Sequence, residues 1–149
     1  MIRLSGGCLC GSIRYKILQE PLLAYTCNCR FCQKDTGTAF RSALAILNEN
    51  VELSGKKLSI YTYKSVEHGR ELYKSFCSDC GTTISLKTER FPERQVIMIG
   101  TLDDPSQITL NTHMFVEEAL DWVEFPKEHV AYARHRINED GTPATPINK

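Results

Sequence analysis

The most informative residues of this 149-residue chain are its seven cysteines, which fall into three short groups. In sequence order the groups are Cys8 and Cys10, then Cys27, Cys29 and Cys32, and finally Cys77 and Cys80. Cysteines one or two positions apart can turn their sulfurs toward a common point, which is the arrangement that a tetrahedral zinc ion requires. Seven thiolates divide into a closed set of four and an open set of three. The closed set is typical of a structural ion, and the open set leaves a coordination position for chemistry.

Disulfide bonds are a weaker interpretation of these groups. The cysteine count is odd, and the first residues contain no apolar segment typical of a signal peptide, so we expect a cytoplasmic protein. Thiols stay reduced in that compartment, where clustered cysteines more often bind metal. A redox-active Cys-x-x-Cys pair remains an alternative for Cys77 and Cys80 taken alone, but the two further groups favour metal.

Glycines indicate which cysteines form the closed set. Cys8 and Cys10 lie in the stretch Gly-Gly-Cys-Leu-Cys-Gly, and Cys77 and Cys80 lie in Cys-Ser-Asp-Cys-Gly. Glycine lets the backbone fold under a metal with its N–H groups aimed at the sulfurs. We therefore expect these two pairs to hold one structural ion that joins distant parts of the chain.

Composition narrows the class of protein. Hydrophobic residues make up 42% of the chain and charged residues 24%, as in an ordinary globular fold. The formal net charge is zero, which argues against nucleic-acid binding, and no apolar run approaches the roughly 20 residues of a membrane span. We expect a single domain over residues 1–137 and a polar, extended tail over 138–149.

Most of the chain is predicted to be β-structure. Alternating or β-rich segments bounded by turn residues indicate an all-β domain with little helix. The predicted strands are 12–18, 39–47, 58–63, 71–76, 82–86 and 95–100. Pro105 is predicted to open a single helical turn, residues 115–123 fit strand or helix, and residues 126–135 are predicted to form a short helix.

The ordered cysteine groups and their neighbours resemble the glutathione-dependent formaldehyde-activating enzyme family, whose relatives include centromere protein V. The resemblance covers residues 4–122 and rests on several short stretches. They are Gly6–Tyr15, Cys27–Lys34 with Gly37, Phe76–Gly81, Gly100–Pro105, and a His-x-Phe…Trp pattern at His113, Phe115 and Trp122. The chain departs from the family's usual Cys-His-Cys at Cys27-Asn28-Cys29, and it lacks the acidic segment that usually follows the tryptophan.

The resemblance implies a zinc-binding fold of two sheets that meet like a tent. It also implies two zinc ions per chain, a structural one held by four cysteines and a catalytic one held by three. The structural ligands would be Cys8, Cys10, Cys77 and Cys80, and the catalytic ones Cys27, Cys29 and Cys32. The implied substrates are glutathione, or another small thiol, and a small aldehyde.

Three thiolates leave room at zinc for an incoming thiol, which loses its proton on binding. Attack of that sulfur on an aldehyde carbonyl gives an S-hydroxymethyl adduct, and the same site would catalyse the reverse carbon–sulfur cleavage. The rival hypothesis is a non-catalytic zinc module whose surface binds a protein. Methionine sulfoxide reduction is disfavoured, because it needs a free reactive cysteine and the remaining three are grouped like ligands.

Other candidate residues carry weaker signals. Asn28 and Arg30 alternate with the central cysteines and would contact a carboxylate of the incoming thiol, and Lys34 would line the mouth of the site or lie in a solvated loop. His113 would be a proton shuttle, a fourth ligand or, as we favour, a hydrogen-bonded structural histidine. Trp122 is expected in the core.

Overall fold

The structure is a computed structural model that describes residues 3–148. Within that range it contains eleven strands, one short α-helix and four 3₁₀ turns. The strands form two sheets, which confirms the predicted all-β fold with little helix. The elements are β1 (Leu4–Gly7), β2 (Ile13–Ile17), β3 (Leu23–Cys27), α1 (Arg30–Thr36), β4 (Arg41–Leu47), β5 (Val51–Gly55), β6 (Ser59–Lys64), β7 (Glu71–Phe76), β8 (Thr83–Thr88), β9 (Arg94–Met98), β10 (Thr112–Met114) and β11 (Val130–Ala131).

The chain divides into two compact units. The first unit comprises residues 1–23 and 44–107, and the second comprises residues 24–43 and 108–149. No helix in the described part of the chain is long and apolar enough to cross a membrane.

The first unit contains a three-stranded antiparallel sheet in the order β1-β2-β5. Strand β2 alternates buried and exposed residues, and its buried side chains are Ile13, Tyr15 and Ile17. This is the pattern expected of a strand with one face in a core. The Tyr15 hydroxyl is satisfied by a hydrogen bond of 2.8 Å to Thr101 Oγ1.

The remaining strands of the first unit follow the order β4-β9-β8-β7-β6. Neighbours from β9 to β6 pair antiparallel, and β8 and β9 contribute the buried side chains Ile84, Leu86 and Ile97. Strand β7 has the bounds that the sequence predicted and runs directly into Cys77. Each of the other predicted strands is present, with ends displaced by up to two residues.

The second unit places β10 between two parallel neighbours, β3 and β11. In this register His113 lies opposite Thr26, and Met114 lies opposite Cys27. The predicted helix over residues 126–135 is wrong, because the backbone there pairs with β10 as β11. Residues 116–118 form a 3₁₀ turn, and the predicted helical turn at Pro105 is confirmed.

The C-terminal residues of the described range bond back to the second unit. Ile137 forms a bridge with Pro143, and the backbone N–H of Ile147 donates to the carbonyl of Ala131 at 2.9 Å. The segment is thus held by backbone bonds. The boundary placed at residue 137 stays a prediction.

Two cysteine clusters as candidate metal centres

The first unit brings four cysteines together. The sulfurs of Cys8, Cys10, Cys77 and Cys80 all lie within 4.8 Å of one another. Cys10 Sγ is 3.6 Å from Cys8 Sγ and 3.8 Å from Cys77 Sγ. Four sulfurs arranged tetrahedrally about 2.3 Å from an ion are separated by about 3.8 Å. The donor set and its spacing therefore fit a metal ion, and they are compatible with zinc.

Tight turns position the two pairs of this cluster. In the first turn the N–H of Gly11 donates to the Cys8 carbonyl at 3.1 Å, and in the second the N–H of Gly81 donates to the Cys77 carbonyl at 2.8 Å. Both glycines adopt positive φ, of 80° and 76°, which other residues rarely do. The glycines beside these cysteines thus have the backbone role that the sequence indicated.

Polar groups favour the thiolate form of two of these cysteines, Cys8 and Cys80. The N–H of Ile13 donates to Cys8 Sγ at 3.3 Å, and the hydroxyl of Thr82 lies 3.2 Å from Cys80 Sγ. Hydrogen bonds from the Thr82 hydroxyl and from backbone N–H groups lower the pKa of Cys80 to about 5. A thiolate is the form that binds metal, so this side chain is ready for an ion at neutral pH.

The second unit brings the other three cysteines together. The sulfurs of Cys27, Cys29 and Cys32 lie within 4.8 Å of one another, and those of Cys27 and Cys29 are 3.5 Å apart. This separation again fits two ligands of one ion. Cys27 and Cys32 are buried while Cys29 is partly exposed, so Cys29 lies on the accessible side.

Helix α1 explains why three residues so close in sequence converge. Cys27 ends β3, Cys29 is the N-cap residue of α1, and Cys32 lies in the first turn of that helix. The Cys29 sulfur accepts the backbone N–H of Cys32 at 3.4 Å, as capping side chains do. The helix ends at Gly37, whose φ of 70° provides the left-handed C-cap. The sequence indicated the cluster but missed the helix.

Arg41 is the site residue that the sequence interpretation missed. Its Nε–H donates to Cys32 Sγ at 3.4 Å, and its guanidinium pairs with Asp35. The Arg41 side chain is only 2% exposed and that of Asp35 13%. The sequence did contain a signal for Arg41, which is a charged residue within the apolar run of residues 39–47. Because arginine is rarely buried without a partner, its position there indicates a buried partner.

Protonation within the three-cysteine cluster is uneven. Hydrogen bonds from Cys27 and Cys29, together with the charge of Arg41, lower the pKa of the Cys32 thiol. The hydrogen bond to Cys29 is the largest cause of the raised pKa of Cys27. Cys32 is therefore the first of these thiols to ionise in the absence of metal.

Asn28 lies in the interior, fully buried behind the cluster. Its side-chain N–H groups donate to the Met114 carbonyl at 3.0 Å and to Thr26 Oγ1 at 3.3 Å. Its backbone carbonyl accepts from Gln33 Nε2 at 2.7 Å. Its Oδ1 has no hydrogen-bond partner within residues 3–148. These bonds fix the Cys-Asn-Cys loop, and contact of the buried Asn28 amide with an incoming carboxylate stays a prediction.

His113 is also placed in this interior network. Its Nδ1 lies 2.7 Å from Thr26 Oγ1, and its Nε2 lies 2.9 Å from Nδ1 of His129. The ring of Phe125 packs against it at 4.9 Å between centroids. Burial lowers the pKa of His113, and its ring is not among the groups that could share an ion with the cysteines. This geometry agrees with the favoured interpretation of a hydrogen-bonded structural histidine.

Arg30 and Lys34 lie on exposed positions of α1. Arg30 bonds to the side-chain oxygen of Gln33, and Lys34 is the basic residue of the last helical turn. Contact of either side chain with a thiol substrate stays a prediction.

The expectation that Trp122 lies in the core is wrong, since its side chain is 72% exposed. It lies in a turn that follows the 3₁₀ segment Val116–Glu118.

Comparison with known proteins identifies the family. Residues 3–118 match the family model described as glutathione-dependent formaldehyde-activating enzyme. A Halomonas elongata protein, provisionally named a glutathione-dependent formaldehyde-activating enzyme, is 25% identical over 138 residues, covering 81% of this chain and 80% of the relative. A crystal structure of a Rhodobacter sphaeroides protein matches with a TM-score of 0.52 at 18% identity, covering 86% of this chain and 98% of that one, and supports the fold alone. Since the family model spans most of the sequence and both cysteine clusters, this chain belongs to the glutathione-dependent formaldehyde-activating enzyme family.

Proposed function

We propose that this chain is a zinc-dependent carbon–sulfur lyase or synthase that forms or cleaves an S-hydroxymethyl adduct of a thiol, with glutathione as the thiol and formaldehyde as the aldehyde. The proposal assigns a structural zinc to Cys8, Cys10, Cys77 and Cys80. It assigns a catalytic zinc to Cys27, Cys29 and Cys32. The observation that carries it is the division of the seven sulfurs into a set of four and a set of three, each with metal-ligand spacing.

Zinc bound by three thiolates would supply deprotonation of a coordinated thiol and polarisation of a carbonyl oxygen. The side chains of this protein have supporting roles. The Cys27–Cys32 segment is held by the α1 cap and by the Asn28 bonds, so the three sulfurs are positioned before a ligand arrives. The partial exposure of Cys29 provides the side from which the thiol and the aldehyde enter.

The reaction is balanced without an added reagent. The thiol sulfur forms a bond to the aldehyde carbon, the carbonyl π bond breaks, and the thiol proton ends on the former carbonyl oxygen. Because the uncatalysed addition is already easy, the protein would act mainly by holding both partners in the reacting orientation. All seven cysteines are free thiols, and the reduced state that this chemistry needs fits a cytoplasmic setting.

Titration of the zinc-loaded protein with glutathione tests the proposal, with the heat of binding and the consumption of formaldehyde followed together. Binding with turnover is the expected result. Binding without turnover would instead support a carrier or sensor. The absence of both binding and turnover would support the non-catalytic interaction module.

Replacement of Cys29 by Ser provides the matched variant. It is expected to lower the zinc content from two ions per chain to one and to abolish turnover. The control is Ser78→Ala, which changes a residue of the other cysteine loop that is not a proposed ligand, and it should keep both zinc ions and turnover. An unchanged ratio of two zincs in Cys29→Ser would eliminate the three-thiolate centre.

A further inference from the structure

A buried ion pair between Arg41 and Asp35 lies beside the three-cysteine cluster. Arg41 contacts the cluster directly, with its Nε 3.4 Å from Cys32 Sγ, and its Nη2 donates to the carboxylate of Asp35. The Phe31 ring lies 5.9 Å from the guanidinium carbon. The side chains of Arg41 and Asp35 are both largely shielded from water.

Because the Arg41 guanidinium is shielded from water, its charge acts strongly on neighbouring groups. Two charges interact several times more strongly in a partly shielded site than in water, because the effective dielectric constant there is lower. An arginine stays protonated in proteins, so Arg41 is a permanent cation at the sulfur of a ligand. A surface arginine at the same distance would be screened by solvent and salt.

Charge counting shows what this cation changes. Three thiolates and a divalent ion carry a net charge of −1. A thiolate as fourth ligand makes the net charge −2. Arg41 offsets one of these negative charges at hydrogen-bond distance from Cys32, whereas a neutral fourth ligand such as imidazole gains far less from it. Asp35 reduces the effect, since its carboxylate pairs with the same guanidinium.

We propose that Arg41 is a positioning residue that makes the open position of the three-cysteine cluster select an anionic sulfur ligand over a neutral one, and that Asp35 moderates this preference. The inference rests on the proposed function, because it assumes that a thiol enters that position. The inference goes beyond the proposed function because it predicts that the open position prefers an anionic ligand and that Arg41 and Asp35 determine this preference.

Cobalt-loaded protein tests the inference through the visible absorption of the ion, without reference to turnover. Glutathione and, separately, imidazole are titrated into the wild type and three variants. Arg41→Gln is expected to weaken glutathione binding about tenfold while changing imidazole binding less than about twofold. Arg41→Lys, which keeps the charge but not the planar Nε–H, is expected to recover part of the loss. Asp35→Asn is expected to act in the opposite direction and tighten glutathione binding several-fold.

Arg134→Gln is the control, since Arg134 forms an exposed pair with Glu117 in the same unit, and it should leave both affinities unchanged. If Arg41→Gln does not hold cobalt, the glutathione and imidazole affinities of Asp35→Asn test the inference instead, because that variant keeps Arg41. An unchanged ratio of the two affinities in the variants that hold cobalt would overturn the inference while leaving the proposed reaction intact. The expected ratios without adduct formation would overturn the reaction alone, and a wild type that binds no thiol would overturn both.

Discussion

At the scale of single residues, His113 shows how a buried titratable group ties the cluster loop to its surroundings. Both ring nitrogens are used, one by the Thr26 hydroxyl and the other by His129. Thr26 also accepts a hydrogen bond from Asn28, which lies between two of the cluster cysteines. Burial first, and the charge of the neighbouring His129 second, disfavour the protonated ring and lower the pKa of His113, so the fold favours its neutral form.

The pH dependence of stability follows from this preference for the neutral ring. Burial lowers the pKa of His113 in the folded protein, so the unfolded chain binds the proton more readily. The stabilisation from this residue is then fully present above the unfolded pKa, about 6.5, and is lost as the pH falls toward the lower folded pKa. His113→Asn should weaken the protein at pH 7.5 but flatten the decrease between pH 7.5 and 5.5 in urea unfolding. His68→Asn, at an exposed turn, should keep the wild-type slope, and an equally steep decrease in His113→Asn would contradict the assignment.

At the scale of elements, β1 depends on the absence of a side chain at Gly6. A Cβ at this position would lie 2.3 Å from the Thr101 carbonyl oxygen and 2.4 Å from the Tyr15 hydroxyl. The first of these neighbours is backbone and the second is a buried, hydrogen-bonded group, so neither can move freely. The three-stranded sheet therefore packs closely against the turn at Thr101 through a glycine.

Gly6→Ala should accordingly destabilise the protein by about 1–3 kcal/mol, as overpacking in a core does. Gly100→Ala is the matched control, because a Cβ there meets nothing within 4 Å. Thermal unfolding of the two variants should give a clearly lowered midpoint for the first and a nearly unchanged one for the second. Equal midpoints would show that β1 can shift to accept the methyl group.

At the scale of the whole molecule, each unit carries one cysteine cluster, and the two clusters have different consequences for folding. The four-cysteine cluster joins turns that are 67 residues apart between Cys10 and Cys77. The three-cysteine cluster lies within one short loop and the start of α1. An ion in the first cluster closes a long loop of chain, whereas an ion in the second organises only local backbone.

Metal removal should separate these roles. Cys80→Ser is expected to abolish cooperative unfolding, because a structural zinc site contributes about 10–16 kcal/mol, as much as the whole stability of a small domain. Cys29→Ser is expected to keep a cooperative transition within about 2 kcal/mol of the wild type. Circular dichroism with a chelator titration measures both, and a Cys80→Ser protein that unfolds like the wild type would show that the four-cysteine ion is not structural.

Much of this molecule could be predicted because its signals are local. Cysteines one or two positions apart must lie near one another in any fold, so the three short groups were visible in the sequence. The alternation in β2 and the β-rich run of β7 likewise depend on neighbouring residues. The wrong predictions arose where partners distant in sequence decide the outcome. Within the segment predicted to be helical, Val130–Ala131 form β11 because β10 provides a parallel edge.

The sequence by itself determined the three cysteine groups and the family to which the chain belongs. Only the tertiary structure decided which charges and hydrogen bonds surround the cysteines. Arg41 reaches Cys32 across the turn between α1 and β4, and His113 meets Thr26 and His129 through the pairing of β10 with β3 and β11. Covalent spacing limits where ligands can lie, but burial and the pairing of distant strands determine their electrostatic environment. That environment exists only once the chain has folded.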